Sequence, residues 1–353
     1  MTKTRKSREN PSVRDFIIKN IEKHQGSITS LAAKQFGLSR AAINRYMHRL
    51  IAEGILAAHG KTNARVYILK PLVSERFMLE RTPYLTEDGI WREKILPHMK
   101  GIKKNIIDIC QYGFTEMVNN VIDHSQSPDI TIAYTQNFNE IEMRVRDSGI
   151  GIFEKIQKDF HLDDPRSALL ELSKGKLTSD SKNHTGEGIF FTSRMFDTFT
   201  ILSGHLFYER KKQKDDDWLI EASDENKYHQ GTYIKMQIQT AADWTMREVL
   251  EQYEGDSYRF RKTHVPVKLG KYPGEQLVSR SQAKRILQRF DKFSEVILDF
   301  EGVPEIGQGF ADEIFRVFAN NNPKTQVFAI NTSPDVKKMI SHVRDSLQAL
   351  SED

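Results

Sequence analysis

The stretch Glu116-Met-Val-Asn-Asn120-Val-Ile-Asp123-His124 decides how the rest of this 353-residue chain is read. It continues a run with apolar residues at Ile106, Ile109, Cys110, Phe114, Met117, Val118, Val121 and Ile122. That three- and four-residue spacing is the mark of a helix with one buried face. Glu116 and Asn120 are four apart, so both project from one face, off the apolar stripe. A carboxylate and a carboxamide stacked one turn apart can act as proton acceptor and metal-ion ligand. Taken alone, the pair reads as a solvated polar face.

Two later stretches change that reading. Asp147-Ser-Gly149-Ile-Gly151-Ile152 follows Glu140–Arg146, where Ile141, Met143 and Val145 alternate with charged residues as in a strand. His184-Thr185-Gly186-Glu187-Gly188-Ile189 then opens a second apolar run. Each glycine set alone is a turn signal. In this order, after a Glu-x-x-x-Asn helix, they resemble the N, G1 and G2 boxes of the GHKL ATPase family, the group of gyrase B and the histidine kinases. Gly231-Thr232, leading into the alternating Tyr233–Ile238, resembles that family's last box.

The resemblance covers about residues 100–240 and implies a site for ATP and Mg²⁺. Asp147 would accept a hydrogen bond from the adenine amino group, which guanine cannot supply. Gly149 and Gly151 would let backbone approach base and ribose. Asn120 would complete Mg²⁺ coordination with phosphate oxygens and waters, and Glu116 would orient and deprotonate the attacking water. Thr185, Gly186 and Gly188 would meet phosphates at a helix N-terminus, and Thr232 would stand near Asp147. Asp123, one turn past Asn120, supports the nucleotide or faces solvent. Residues 153–184 take the place of the lid over the phosphates, with helical turns near Ala168-Leu169-Leu170 and with Lys174, Lys176 and Lys182 as phosphate candidates. The family's G2 box often begins with glycine; His184 stands there instead, which leaves binding intact and puts fast turnover in doubt.

Charge is distributed unevenly. Residues 1–70 hold 14 Lys/Arg and 4 Asp/Glu, a net of +10, whereas the whole chain is +4. One end is thus built to meet a polyanion. Three helices are predicted at residues 12–24, 27–36 and 39–53, with Gly37-Leu38-Ser39 as the turn between the last two. Strands follow at 54–56 and 66–69. This pattern resembles a winged helix-turn-helix. Arg40, Asn44, Arg45, His48 and Arg49 fall mostly opposite the apolar stripe of the third helix, where side chains can reach base edges in a major groove. Lys61 and Arg65 flank the wing. Many winged helices make only protein contacts; the local charge favours DNA.

Toward the C-terminus, an amphipathic helix at 279–290, a strand at 296–300, a helix at 310–318, a strand at 326–330 and a helix at 333–343 alternate as in an α/β unit. Ile297–Val303 together with Gly307–Glu313 resembles STAS-like domains in the version fused to GHKL domains. Relatives of that broader fold carry a phosphorylatable serine after the strand; Gly307-Gln308-Gly309 has no hydroxyl. That puts phosphorylation switching in doubt and leaves a docking role for a protein partner.

No apolar run reaches the ~20 residues a membrane helix needs, no secretory signal is legible, and the single cysteine, Cys110, lies on the apolar stripe. A cytoplasmic protein without membrane contact is expected. The expected fold is multidomain α+β: a winged helix at 1–72, a linker at 73–104, a GHKL α/β sandwich at 105–242, a connector at 243–262 and a small STAS-like α/β domain at 263–353. The expected function is an ATP-binding, slowly hydrolysing regulator whose nucleotide state controls DNA binding, partner docking or homodimer formation. The alternatives are a protein serine/histidine kinase acting on a partner, and a scaffold holding ATP as a structural ligand.

Overall fold

At the basic end, α1 (Pro11–Asn20) runs into a 3-10 turn at Ile21–Lys23, followed by α2 (Ile28–Phe36) and α3 (Arg40–Ala52). Gly37 ends α2 in the left-handed region at φ +61°, and Ser39 caps α3 by accepting from Ala42 N at 3.2 Å. Strands β1 (Leu56–His59) and β2 (Val66–Leu69) pair antiparallel, Leu56 opposite Leu69. Val13, Ile17, Ile28, Ala32, Ile43, Met47, Leu50 and Leu56 close one apolar core. The computed structural model describes residues 11–60, 65–177, 186–212, 216–221, 228–254, 260–272 and 274–350.

Next come β3 (Val73–Glu80), α4 (Glu87–Ile90), a π turn at Trp91–Ile95, a 3-10 turn at Leu96–His98, and α5 (Lys104–Asn120), which runs on as a π turn at Val121–Ser125. Strands β4 (Asp129–Gln136) and β5 (Glu140–Asp147) lead to α6 (Ile152–Asp159), α7 (Pro165–Lys174) and α8 (Gly188–Met195). Then follow β6 (Thr198–Gly204), β7 (Leu206–Lys211), β8 (Asp216–Glu221), β9 (His229–Gln239) and α9 (Met246–Glu251). The strands form one seven-stranded sheet in the order β3-β4-β5-β9-β6-β7-β8.

Helix α5 buries Ile106, Ile109, Cys110, Phe114, Met117 and Val118, as its period requires. Burial pushes the Cys110 thiol up, out of reach of thiolate chemistry. At Gly113 a Cβ would stand 2.5 Å from the Phe196 ring, so glycine lets α5 and α8 pack closely.

The C-terminal segment alternates β10 (Lys262–Pro266), α10 (Arg280–Leu287), β11 (Glu295–Asp299), α11 (Gln308–Asp312), α12 (Ala319–Asn321), β12 (Gln326–Ile330) and α13 (Pro334–Leu350). Its three strands are parallel in the order β10-β11-β12, with Val265, Leu298 and Ala329 in register. The whole is a multidomain α+β protein. It divides into two units: the first runs through Phe77 and takes in residues 133–143 and 237–242, and the second holds 78–132, 144–236 and the chain from Asp243 on. No helix among the described residues is long and apolar enough to cross a membrane.

Three elements differ from the sequence expectations. The stretch read as a linker contains β3, whose consecutive exposed Ser74, Glu75 and Arg76 hide any period of two. The stretch read as a lid contains α7, at the helical turns expected near Ala168-Leu169-Leu170, and also α6, which was not expected. Helix α11 continues through a π turn at Glu313–Phe318 instead of one regular helix over 310–318.

Candidate functional site

Asp147 ends β5 and is 2 % exposed. Its Oδ1 accepts from Gly149 N at 2.8 Å, and Thr232 on β9 adds its backbone N–H and its hydroxyl. Burial nevertheless holds this carboxyl above the usual carboxylate range, the donors offsetting it only in part. The Thr232 hydroxyl also accepts from Ile152 N at 3.0 Å, tying the start of α6 to the carboxylate.

Glycines make that approach sterically feasible. A Cβ on Gly149 would lie 1.9 Å from the Ser125 carbonyl oxygen, and one on Gly231 would lie 2.2 Å from the Asp147 carbonyl oxygen. Ile150 N donates to that Ser125 carbonyl at 2.9 Å. The π turn after Asn120 therefore serves as the seat on which the loop after β5 rests.

Around this corner lies a cavity of about 410 Å³, lined in part by Glu116, Asn120, Asp147, Gly151, Gly186, Gly188 and Thr232. Four separate stretches of sequence thus converge on one space. Glu116 and α8 meet closely: a Cβ on Gly188 would stand 1.9 Å from Glu116 Oε2. The first turn of α8 thereby faces a carboxylate, the charge its exposed N–H groups favour. Burial, reinforced by Glu116 and Glu187, pushes the Tyr112 hydroxyl up. Gly186 adopts φ +69° and its carbonyl accepts from Leu177 N at 3.0 Å.

Not every candidate joins. Asp123 is exposed and does not line the cavity. Gly149 lies beneath the loop, against Ser125, and is not part of the lining. Thr185, His184 and Lys182 lie outside the described residues. Lys174 and Lys176, read as phosphate candidates, do not line the cavity: Lys174 is wholly buried against Glu171 and the Gln288 carbonyl, and Lys176 donates to the Lys292 carbonyl at 2.9 Å.

The sequence reading overlooked Asn119, His124, Lys155, Asp159 and Phe160 in the lining. Lys155 and Asp159 form an ion pair at 2.8 Å along α6. The signal was present: Phe153 and Ile156 at helical spacing, with Lys155 and Asp159 four apart on one face.

In the first unit, Arg40, Asn44, Arg45, His48 and Arg49 are all exposed along α3, while Ile43, Met47 and Leu50 are buried. Arg65 is exposed, its guanidinium 6.0 Å from the Tyr67 ring centroid. Lys61 lies outside the described residues.

At the turn before α11, a Cβ on Gly307 would stand 2.7 Å from Val278 Cα. The turn thus lacks a hydroxyl and, at Gly307, also lacks room for a side chain. Residues 282–337 match the family model of a STAS-like domain of unknown function (DUF4325), so the chain carries a STAS-like domain over α10 to the start of α13. No curated protein matches the chain.

Proposed function

We propose that the cavity binds ATP with Mg²⁺ in the manner of GHKL domains, and that its occupancy controls DNA binding by the basic N-terminal unit or docking of a protein partner. The observation that carries this reading is the convergence of Glu116, Asn120, Asp147, Gly151, Gly186, Gly188 and Thr232 on one cavity. Residues from the N, G1, G2 and last boxes, read from sequence order alone, meet there. The lining mixes apolar Met117, Ile150, Ile156 and Ile234 with these polar groups, as a site for a purine and its phosphates needs.

In this reading Asp147 selects adenine, and Asn120 holds Mg²⁺ together with phosphate oxygens and water. Among the described residues no group of three or more His, Cys, Asp or Glu side chains converges on a metal position. A cation at Asn120 therefore relies on the nucleotide for most of its ligands, as Mg²⁺ in phosphate sites commonly does. Glu116 is the base for water. The exposed row on α3 supports duplex contact by a winged helix-turn-helix, with Arg45 and Asn44 toward base edges. Coupling between nucleotide and DNA equals the difference in ATP affinity between the two arrangements.

The test is the thermal midpoint of the full chain with and without saturating ATP·Mg²⁺, followed by duplex binding under the same two conditions. A raised midpoint with altered DNA affinity or oligomeric state supports the reading. No nucleotide-dependent shift removes the pocket assignment; a shift without any change in DNA affinity or assembly removes the switch.

A further inference from the structure

The segment entering the cavity from α7 is held at three successive peptide carbonyls by β10 and by Arg289 of the STAS-like domain. The Lys174 carbonyl accepts from Thr263 Oγ1 at 2.8 Å. The Gly175 carbonyl accepts from Arg289 Nη2 at 2.8 Å, and the Lys176 carbonyl accepts from the same Nη2. Arg289 Nη1 reaches back to Glu171 Oε2 at 2.8 Å, and Lys174 Nζ bonds the Glu171 carboxylate and, at 2.9 Å, the Gln288 carbonyl. Lys176 Nζ sits 4.6 Å from the Phe293 ring centroid.

The next residue, Leu177, lines the cavity and is bonded to Gly186, also in the lining, through its backbone N–H. Leu172, on the preceding turn of α7, lines it too. The hold on residues 174–176 therefore sets one wall.

This hold is not saturated. Arg289 is a non-glycine residue at φ +64°, a conformation that persists only where its surroundings impose it. Its Nε is buried with no hydrogen-bond partner among the described residues.

We propose that the STAS-like domain regulates the cavity within the same chain, with Arg289 as the positioning residue that fixes the Leu172–Leu177 wall for nucleotide binding. This rests on the nucleotide reading above and deepens it. With the wall fixed in advance, the nucleotide does not have to order it, and affinity rises. Loss of the Arg289 contacts lets the wall loosen, so the seating of the STAS-like domain is transmitted to the cavity through residues 171–177.

The experiment compares the full chain with Arg289→Gln, Thr263→Val and Lys284→Ala. It measures ATP·Mg²⁺ affinity and dissociation rate, together with amide hydrogen exchange across residues 171–177. For Arg289→Gln, affinity is expected to fall by about tenfold, since several backbone residues must then be ordered on binding. Dissociation and exchange both speed up. Thr263→Val, which keeps the buried shape and removes one donor, moves the same readouts in the same direction by less. It decides the question if Arg289→Gln fails to fold. Lys284→Ala, at an exposed side chain, leaves them unchanged. Parent-like affinity and exchange in the folded variants overturn this regulation while the nucleotide reading stands; a parent chain with no ATP-dependent midpoint shift overturns both.

Discussion

Replacing Asp147 by Asn separates a ligand-recognition role from a structural one. The substitution preserves volume, and the amide oxygen can still accept from Gly149 N, now at 2.8 Å from Oδ1. What is lost is the charge and the second acceptor; an amide NH₂ then opposes the adenine amino group, donor against donor. A hydrogen bond to a charged group contributes ~1.5–3 kcal/mol, so Kd for ATP rises roughly ten- to 150-fold. The unliganded midpoint responds little: burial disfavours the ionised carboxylate of Asp147, while the amide gives up an acceptor that Thr232 uses, and the two changes oppose each other. At a ligand concentration near 100 Kd of the parent, the parent gains ~2.7 kcal/mol, and a variant with hundredfold weaker affinity gains only about 0.4 kcal/mol. Differential scanning fluorimetry with and without ATP·Mg²⁺ reads both numbers. If the unliganded midpoint falls while the ATP shift survives, Asp147 is a loop cap and the recognition argument is refuted.

Four further outcomes follow from the same groups. Because Asp147 titrates above its unfolded value of ~3.9, the folded state holds the proton longer, and the stability it contributes falls as pH rises through the raised value. ATP affinity runs the other way, weakening as pH falls through that window, and Asp147→Asn should flatten both profiles in midpoint and titration measurements. Lys174, wholly buried, is pushed down to about 8, so the unfolded chain binds more protons between there and ~10.4 and stability should rise with pH across that interval; a flat urea midpoint from pH 7.5 to 9.5 contradicts this. Glu116→Gln should keep ATP binding and abolish phosphate release, and a variant that still turns over ATP rules Glu116 out as the base. Arg45→Ala, at an exposed position on α3, should leave the midpoint unchanged, weaken duplex binding and relax sequence preference; an unchanged preference takes Arg45 off the base edges.

The parts of the fold and site that were legible in the sequence are those whose signal is local. The stripe on α5 reported its own helix because burial repeats every three to four residues, and Ser39 and Gly37 marked helix ends through chemistry that acts within one turn. Asp147, Gly151, Gly188 and Thr232 could be placed near one another only through motif order, since no local period relates residues up to 85 positions apart. Strand β3 was missed because an exposed run of Ser74, Glu75 and Arg76 carries no alternation. Lys174 was misread for a deeper reason. A lysine in a polar-looking stretch is ordinarily solvated, and only the Glu171 carboxylate one turn back together with the Gln288 carbonyl from a distant part of the chain makes its burial tolerable.

The lining of the cavity argues for a polar solute more strongly than any single residue does. The space of about 410 Å³ opens to solvent, and polar walls suit water or a polar solute there. Glu116, Asn119, Asn120, His124, Asp147 and Thr232 supply those walls. The obvious way to fill the space from within is closed off as well: at Gly188 any side chain would run into Glu116 Oε2, and at Gly231 into the Asp147 backbone. The glycines therefore hold carboxylate, amide and helix N-terminus at a spacing that the chain itself does not fill.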